Sequence, residues 1–204
     1  MKQLIRHILS GAALALATLP VSAQTVGPQG ESATLSSAIV VADENIQAVR
    51  AGGHTAALLW HDQSDFVNAV TAGATDEFTR FGIEVVATTS AGFDAAKQRS
   101  DIETALVKKP SIILSLPLDP VTSAAAFEEA KAEGVKLVFL SNLPSGYKHP
   151  DDYAAIVTDD LFQMGKQAAD ALAAAMGGKG TVGWVFHDAA YYVTNQRDNA
   201  FKTT

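Results

Sequence analysis

The chain has 204 residues, 48% of them hydrophobic and 18% charged, a globular rather than a disordered composition. Its net charge of −7 argues against nucleic-acid partners, whose affinity rests on neutralising phosphates. It contains no cysteine, so disulfides and thiolate chemistry are excluded and an exported form must draw its stability from a packed core.

Residues 1–23 read as a cleaved secretory signal peptide. Lys2 and Arg6 supply the positive start, "ILSGAALALATL" the apolar stretch, and Val21 to Ala23 the small residues before the cut. That stretch falls short of the roughly 20 residues of a membrane-spanning helix. Gln24 is then the expected mature start and the periplasm the expected location. No cysteine follows to carry a lipid anchor, and loss of Lys2 and Arg6 leaves the remainder more acidic still.

Residues 24–53 form an N-terminal extension, polar at first, with a short helix in "ADENIQAVRAGG" that has acids at its start and glycine at its stop. From His54 the pattern alternates. "TAALLW" is a buried strand, and "SDFVNAVTAGATDEFTRFG" a helix with Phe66, Val70, Ala74 and Phe78 at helical spacing and Gly82 at its end. "IEVVATT" is a strand; "FDAAKQRSDIETALVKK" is a helix facing inward through Ala95, Ile102 and Leu106. "SIILSL", the helix "DPVTSAAAFEEAKAEG", "VKLVFLS" and the short strand "YAAIVT" follow. The chain continues as the helix "DLFQMGKQAADALAAAMGG", the strand "TVGWVFH" and a last helical segment "TNQRDNAFKTT".

Such alternation predicts an α/β fold, a parallel sheet with helices on both faces. Right-handed crossovers bring the carboxyl ends of all strands to one edge, where ligands of open α/β sheets bind. Polar residues collect there: His61, Asp62 and Ser64; Thr89 and Ser90; Asp119; Ser141 and Asn142; His187 and Asp188. "LLWHDQSDF" and "GWVFHDAAYY" each end an apolar run in His-Asp and then an aromatic, so the two pairs occupy equivalent strand exits. They read either as polar cleft walls or as structural strand-end residues. A metal site is not expected, because neighbours on a strand point to opposite sides and no ligand spacing such as HExxH occurs. "GGKG" at 177–180 lacks the Ser/Thr of a phosphate loop and reads as a helix stop. No nucleophile elbow or dinucleotide fingerprint follows any strand, and no cofactor is expected.

The element order, together with "SDFVNAVTAGA", "IETALVKKPSIILSLPLDP", "AKAEGVKLVFLSN", "AAIVTDDLFQMGKQAADAL" and "NQRDNAF", resembles the periplasmic solute-binding proteins of sugar ABC importers. That group includes the ribose- and galactose-binding proteins and shares its fold with LacI-type repressor cores. The resemblance implies a type I periplasmic binding protein fold: two Rossmann-like lobes with parallel sheets and a sugar held between them. It divides the chain into an N-terminal lobe over 54–158 and the start of a C-terminal lobe over 159–204. That second lobe is incomplete here, since relatives are commonly near 300 residues, so the chain reads as a fragment of a longer product.

By position, the resemblance implies that Phe66 stacks on the sugar ring, although its place in the helical stripe also suits a core residue. Ser64 matches a polar ligand contact. Ser141 and Asn142 match a place where ribose-type proteins put an Asp-Arg pair, here neutral, which disfavours ribose itself. Asn142 is a ligand contact or a loop cap; Asp159 is a crossover carboxylate for sugar hydroxyls or a helix N-cap. Arg197 matches an arginine reaching into the cleft, or is a solvated helix residue. Tyr191 and Tyr192 supply a second aromatic plate or a lobe-packing contact. The implied partners are a sugar or polyol and an ABC permease in the inner membrane, with the protein itself a monomer and not an enzyme. A sensory receptor using the same domain is the alternative; an exported α/β hydrolase is disfavoured by the absence of any nucleophile–base set.

Overall fold

A computed structural model describes residues 24–186 and 191–204. The extension contains a 3-10 turn (Ser36–Ala38) and α1 (Asp43–Ala51), neither of which buries a residue. Five strands follow: β1 (Thr55–Trp60), β2 (Glu84–Ser90), β3 (Ile112–Ser115), β4 (Lys136–Leu140) and β5 (Ala155–Val157). Between them lie α2 (Asp65–Arg80), α3 (Ala95–Leu106) and α4 (Thr122–Ala132), and after them α5 (Leu161–Ala175) and α6 (Tyr192–Thr203). The strands form one parallel sheet in the order β2-β1-β3-β4-β5. The α/β expectation holds, with the expected β1-to-α5 elements recovered to within a few residues at their ends.

Strand β1 is interior to the sheet and closed to water on both faces, which is why it is a continuous apolar run. Alternation sends Ala57 and Leu59 to one side, where they meet Ile102, Phe127, Ile113, Leu137 and Phe139 beneath α3 and α4. Leu58 and Trp60 go to the other side, against Val67, Val70, Ala74 and Phe78 of α2. Polar side chains set the helix starts: Ser64, Asp94 and Asp160 accept from the backbone N–H of Val67, Lys97 and Gln163. At the end of α2, Gly82 takes φ +68°, which lets the Ile83 N–H reach back to the Phe78 carbonyl at 2.8 Å.

Helices α5 and α6 pack on each other and touch none of the strands. Gly165 makes that contact close: a Cβ there would collide with the Arg197 carbonyl and press on Ala200. The first segment of the extension straps this pair to the sheet domain. Thr25 bridges Asp160 (2.7 Å) and the Phe162 N–H (2.9 Å), and the Val26 backbone is held by Gln196 and Tyr192. Gln29 then bonds the Tyr147 carbonyl and the Tyr153 hydroxyl.

One expected element is absent. Residues 181–186 of the stretch read as the strand "TVGWVFH" form no strand. A parallel strand needs a neighbour for its backbone groups, and among the described residues none stands beside this segment. Val185 is 97% exposed, while Trp184 packs instead on Phe201 with ring centroids 4.1 Å apart. His187 and Asp188, placed by sequence at this strand's exit, lie outside the described residues.

Candidate functional site at the carboxyl edge of the sheet

The chain leaves β1 toward β2 on one side and later returns to β3 on the other, so β1 marks the switch point of the sheet. Crevices of open α/β sheets form there. The residues leaving β1 are His61, Asp62, Gln63 and the α2 cap Ser64. His61 accepts the Phe93 N–H through its carbonyl at 2.8 Å, and its ring stands edge-on to Phe93, centroids 5.4 Å apart. Burial lowers its pKa from the usual 6.5, with neighbouring Asp62 pulling the other way, so the ring is neutral near pH 7.

Phe66 does not head the buried stripe of α2. Val67 does, at 2% exposure, while Phe66 is 47% exposed. The register 67, 70, 74, 78 fits the 3.6-residue repeat as well as the series begun at Phe66, and hydrophobicity alone does not choose between adjacent apolar residues. The core reading of Phe66 is thereby overturned.

The β3 exit is held from three directions. Gln98, only 1% exposed on α3, spans it with both ends of its amide: Nε2 donates to the Leu116 carbonyl and Oε1 accepts the Leu118 N–H, each at 2.8 Å. Asn142 Nδ2 donates to the Pro117 carbonyl at 3.3 Å, and the Tyr191 hydroxyl to the Leu118 carbonyl at 3.2 Å. Asp119 accepts the Thr122 and Val121 N–H groups; chiefly the Thr122 hydrogen bonds hold its pKa below the ordinary carboxylate value. At the β4 exit Ser141 takes φ +62°, its N–H on the Val157 carbonyl at 2.8 Å.

The edge carries buried polar atoms without partners: Trp60 Nε1, His61 Nδ1, Thr89 Oγ1, Asn142 Oδ1 and Thr158 Oγ1, at the ends of β1, β2, β4 and β5. Native proteins pair nearly all such groups, and here the unmatched ones gather along this edge, enclosed rather than facing water.

The remaining residues divide. Asp160, not Asp159, caps α5, which removes the capping reading of Asp159; that residue is exposed at the β5 exit. The Tyr192 hydroxyl donates to the Val26 carbonyl, so its polar end serves the strap rather than the edge. Arg197 is partly buried on α6, with its carbonyl against Gly165. Sequence reasoning missed Gln98 although a signal existed: a glutamine one turn before Ile102 on the inward face of α3. Phe93 carried no such signal.

Among the described residues no group of three or more His, Cys, Asp or Glu could hold a metal ion, and no helix is long and apolar enough to cross a membrane. A cavity of about 1010 Å³ lies at the opposite edge, lined by Phe78, Phe81, Ile83, Ile112 and Val135 among others. It is mostly apolar and holds none of the unmatched polar atoms, so the carboxyl edge remains the stronger candidate.

An open parallel sheet with α-helices between its strands is the architecture of one lobe of the type I periplasmic binding protein fold. A family profile described as "Periplasmic binding protein domain" matches residues 56–204, and the chain belongs to that family. Solved structures agree in fold. An ABC transporter solute-binding protein from Agrobacterium vitis, bound with α-D-tagatopyranose, is 23% identical with a TM-score of 0.64 over 74% of this chain and 53% of its own. A carbohydrate transporter solute-binding protein from Agrobacterium radiobacter, in complex with D-arabinose, is 25% identical with a TM-score of 0.62 over 74% and 52%. A fructose-binding periplasmic domain of a hybrid two-component system is 16% identical with a TM-score of 0.63 over 74% and 49%. The chain thus spans about half the length of these relatives. No curated protein matches it.

Proposed function

We propose that the chain binds a sugar or sugar-like polyol at the carboxyl edge of its sheet and serves as the solute receptor of an ABC importer. The observation that carries this reading is the coincidence of unmatched buried polar atoms with the exposed ring of Phe66. A sugar offers hydroxyls that both donate and accept, and C–H faces that lie on aromatic rings. In this reading Phe66 stacks on the ring, Asn142 and Ser141 meet hydroxyls from β4, and Ser64, His61, Asp62 and Asp159 line the remaining rim. Arg197 approaches from α6, and His187 and Asp188 are included on their sequence position alone. The pair Ser141-Asn142 is neutral, which suits an uncharged ligand. Selectivity then follows from hydroxyl matching, since an analogue lacking one strands a polar group of the site.

In this reading residues 1–23 are cleaved, and the working form begins at Gln24, is a monomer in the periplasm, and transforms nothing. A thermal-shift titration of the protein with D-arabinose, D-tagatose, D-glucose and myo-inositol tests the reading. A compound at 100 times its dissociation constant adds roughly 2.7 kcal/mol of stability. No shift with any of the four counts against the sugar reading. A second reading, a sugar receptor for signalling, is favoured by the likeness to the two-component fructose-binding domain. Vesicles carrying the cognate permease separate them: ligand-loaded protein accelerates ATP hydrolysis only in the transport reading.

A further inference from the structure

Among the described residues Phe93 is the one aromatic residue of the carboxyl edge with a left-handed backbone, φ 60°, and it is 64% exposed. Bulky side chains rarely adopt that conformation, and glycine or asparagine would sit there with less strain. Nor does burial account for it, because most of the ring faces water. The ring is nevertheless oriented: its N–H is tied to the His61 carbonyl, and it meets the His61 imidazole at an interplanar angle of 80°. Two residues earlier Ala91 donates to the Trp60 carbonyl at 3.0 Å, so the whole turn is anchored to the exit of β1. A strained residue held this way, exposing an apolar face beside the unmatched Nδ1 of His61 and Oγ1 of Thr89, is better explained by a ligand than by folding.

We propose that Phe93 is a specificity-determining residue, the second aromatic plate of the ligand site, presenting its face to the C–H surface of the bound ring. The inference rests on the sugar-binding reading and deepens it. Phe66 begins α2 on one side of β1, and Phe93 precedes α3 on the other, with His61 between them at the strand's exit. Val67, the neighbour of Phe66, is turned into the core and leaves no second ring on the α2 side. A ligand reaching both plates must offer two apolar patches, which selects cyclic sugars over short linear polyols. The neutral imidazole presents one donor and one acceptor; with Nδ1 enclosed, Nε2 is the ring atom that meets a hydroxyl.

The test compares Phe93→Gly, Phe93→Asn and Phe93→Tyr with the unaltered protein by calorimetric titration with D-arabinose, D-tagatose, D-glucose, myo-inositol and glycerol, and by melting without ligand. The expected result is that Gly and Asn weaken the cyclic ligand bound by the unaltered protein about tenfold, the order of one lost stacking contact, while Tm is unchanged or higher. Tyr keeps near-normal affinity. Unchanged affinity in Gly and Asn overturns the assignment. So does a fall in Tm that accompanies the loss of binding, or a Tyr variant as weak as the others. An unaltered protein that binds none of the five ligands refutes the underlying sugar reading instead, and this assignment with it.

Discussion

At its amino edge the sheet ends around a mostly apolar cavity of about 1010 Å³, with no unmatched buried side-chain polar atom among the described residues there. At its carboxyl edge five such atoms sit at the ends of four strands, and two non-glycine residues, Phe93 and Ser141, take left-handed backbone angles, as Lys109 does at the amino edge. An unpaired buried polar group costs about 1–3 kcal/mol. The unmatched groups therefore concentrate at one edge of the sheet and not at the other.

That contrast can be broken or sharpened by experiment. Phe139→Ala removes a ring packed against Phe127, Tyr147 and Tyr153, and should cost about 3–5 kcal/mol in urea denaturation. It sets the scale for a core loss. Gln98→Ala leaves the Leu116 carbonyl and the Leu118 N–H unpaired and should cost about 1–3 kcal/mol. Hydrogen exchange at the Leu118 amide should accelerate, and sugar affinity should fall with the loosened rim. At the amino edge, Ile83→Val should cost about 0.5–1.5 kcal/mol and leave ligand affinity unchanged. Asn142→Ala gives up only a 3.3 Å hydrogen bond and an unmatched oxygen, so stability should change by about 0.5 kcal/mol or less while affinity drops at least several-fold. A large loss of stability there would make the edge structural.

The smallest effect is on pH dependence. The His61 pKa is lowered in the fold, so between the folded and unfolded values the unfolded chain binds more protons. Stability from this group is therefore complete above about pH 6.5 and declines as pH falls, levelling off below the folded pKa. His61→Gln should flatten that part of the profile in denaturation curves between pH 5 and pH 7.

Much of the fold was legible because each strand and helix carries its own period and its own stop. Interior β1 declares itself by five successive buried residues, and α2 by its cap at Ser64 and its stop at Gly82. The segment 181–186 was misread because a strand is a property of two chains of backbone, and apolar residues such as Val182 and Val185 do not reveal whether a neighbour exists. The choice between Phe66 and Val67, or between Asp159 and Asp160, turns on a one-residue rotation that composition does not encode. Polar strand exits were legible as a class. Phe93 was not, because a left-handed aromatic is recognisable only by its backbone angle.

The strap of residues 25–29 is fastened unequally. Toward α5 and α6 it makes hydrogen bonds through Thr25 and both backbone groups of Val26, whereas toward the sheet domain it holds by Gln29 alone, to Tyr147 and Tyr153. Any swing of the helical pair relative to the sheet will therefore carry the strap along and part it at Gln29. The Tyr191 hydroxyl on the Leu118 carbonyl is a second tether between the pair and the sheet domain, so trimming Gln29 would loosen one of two moorings and leave the other.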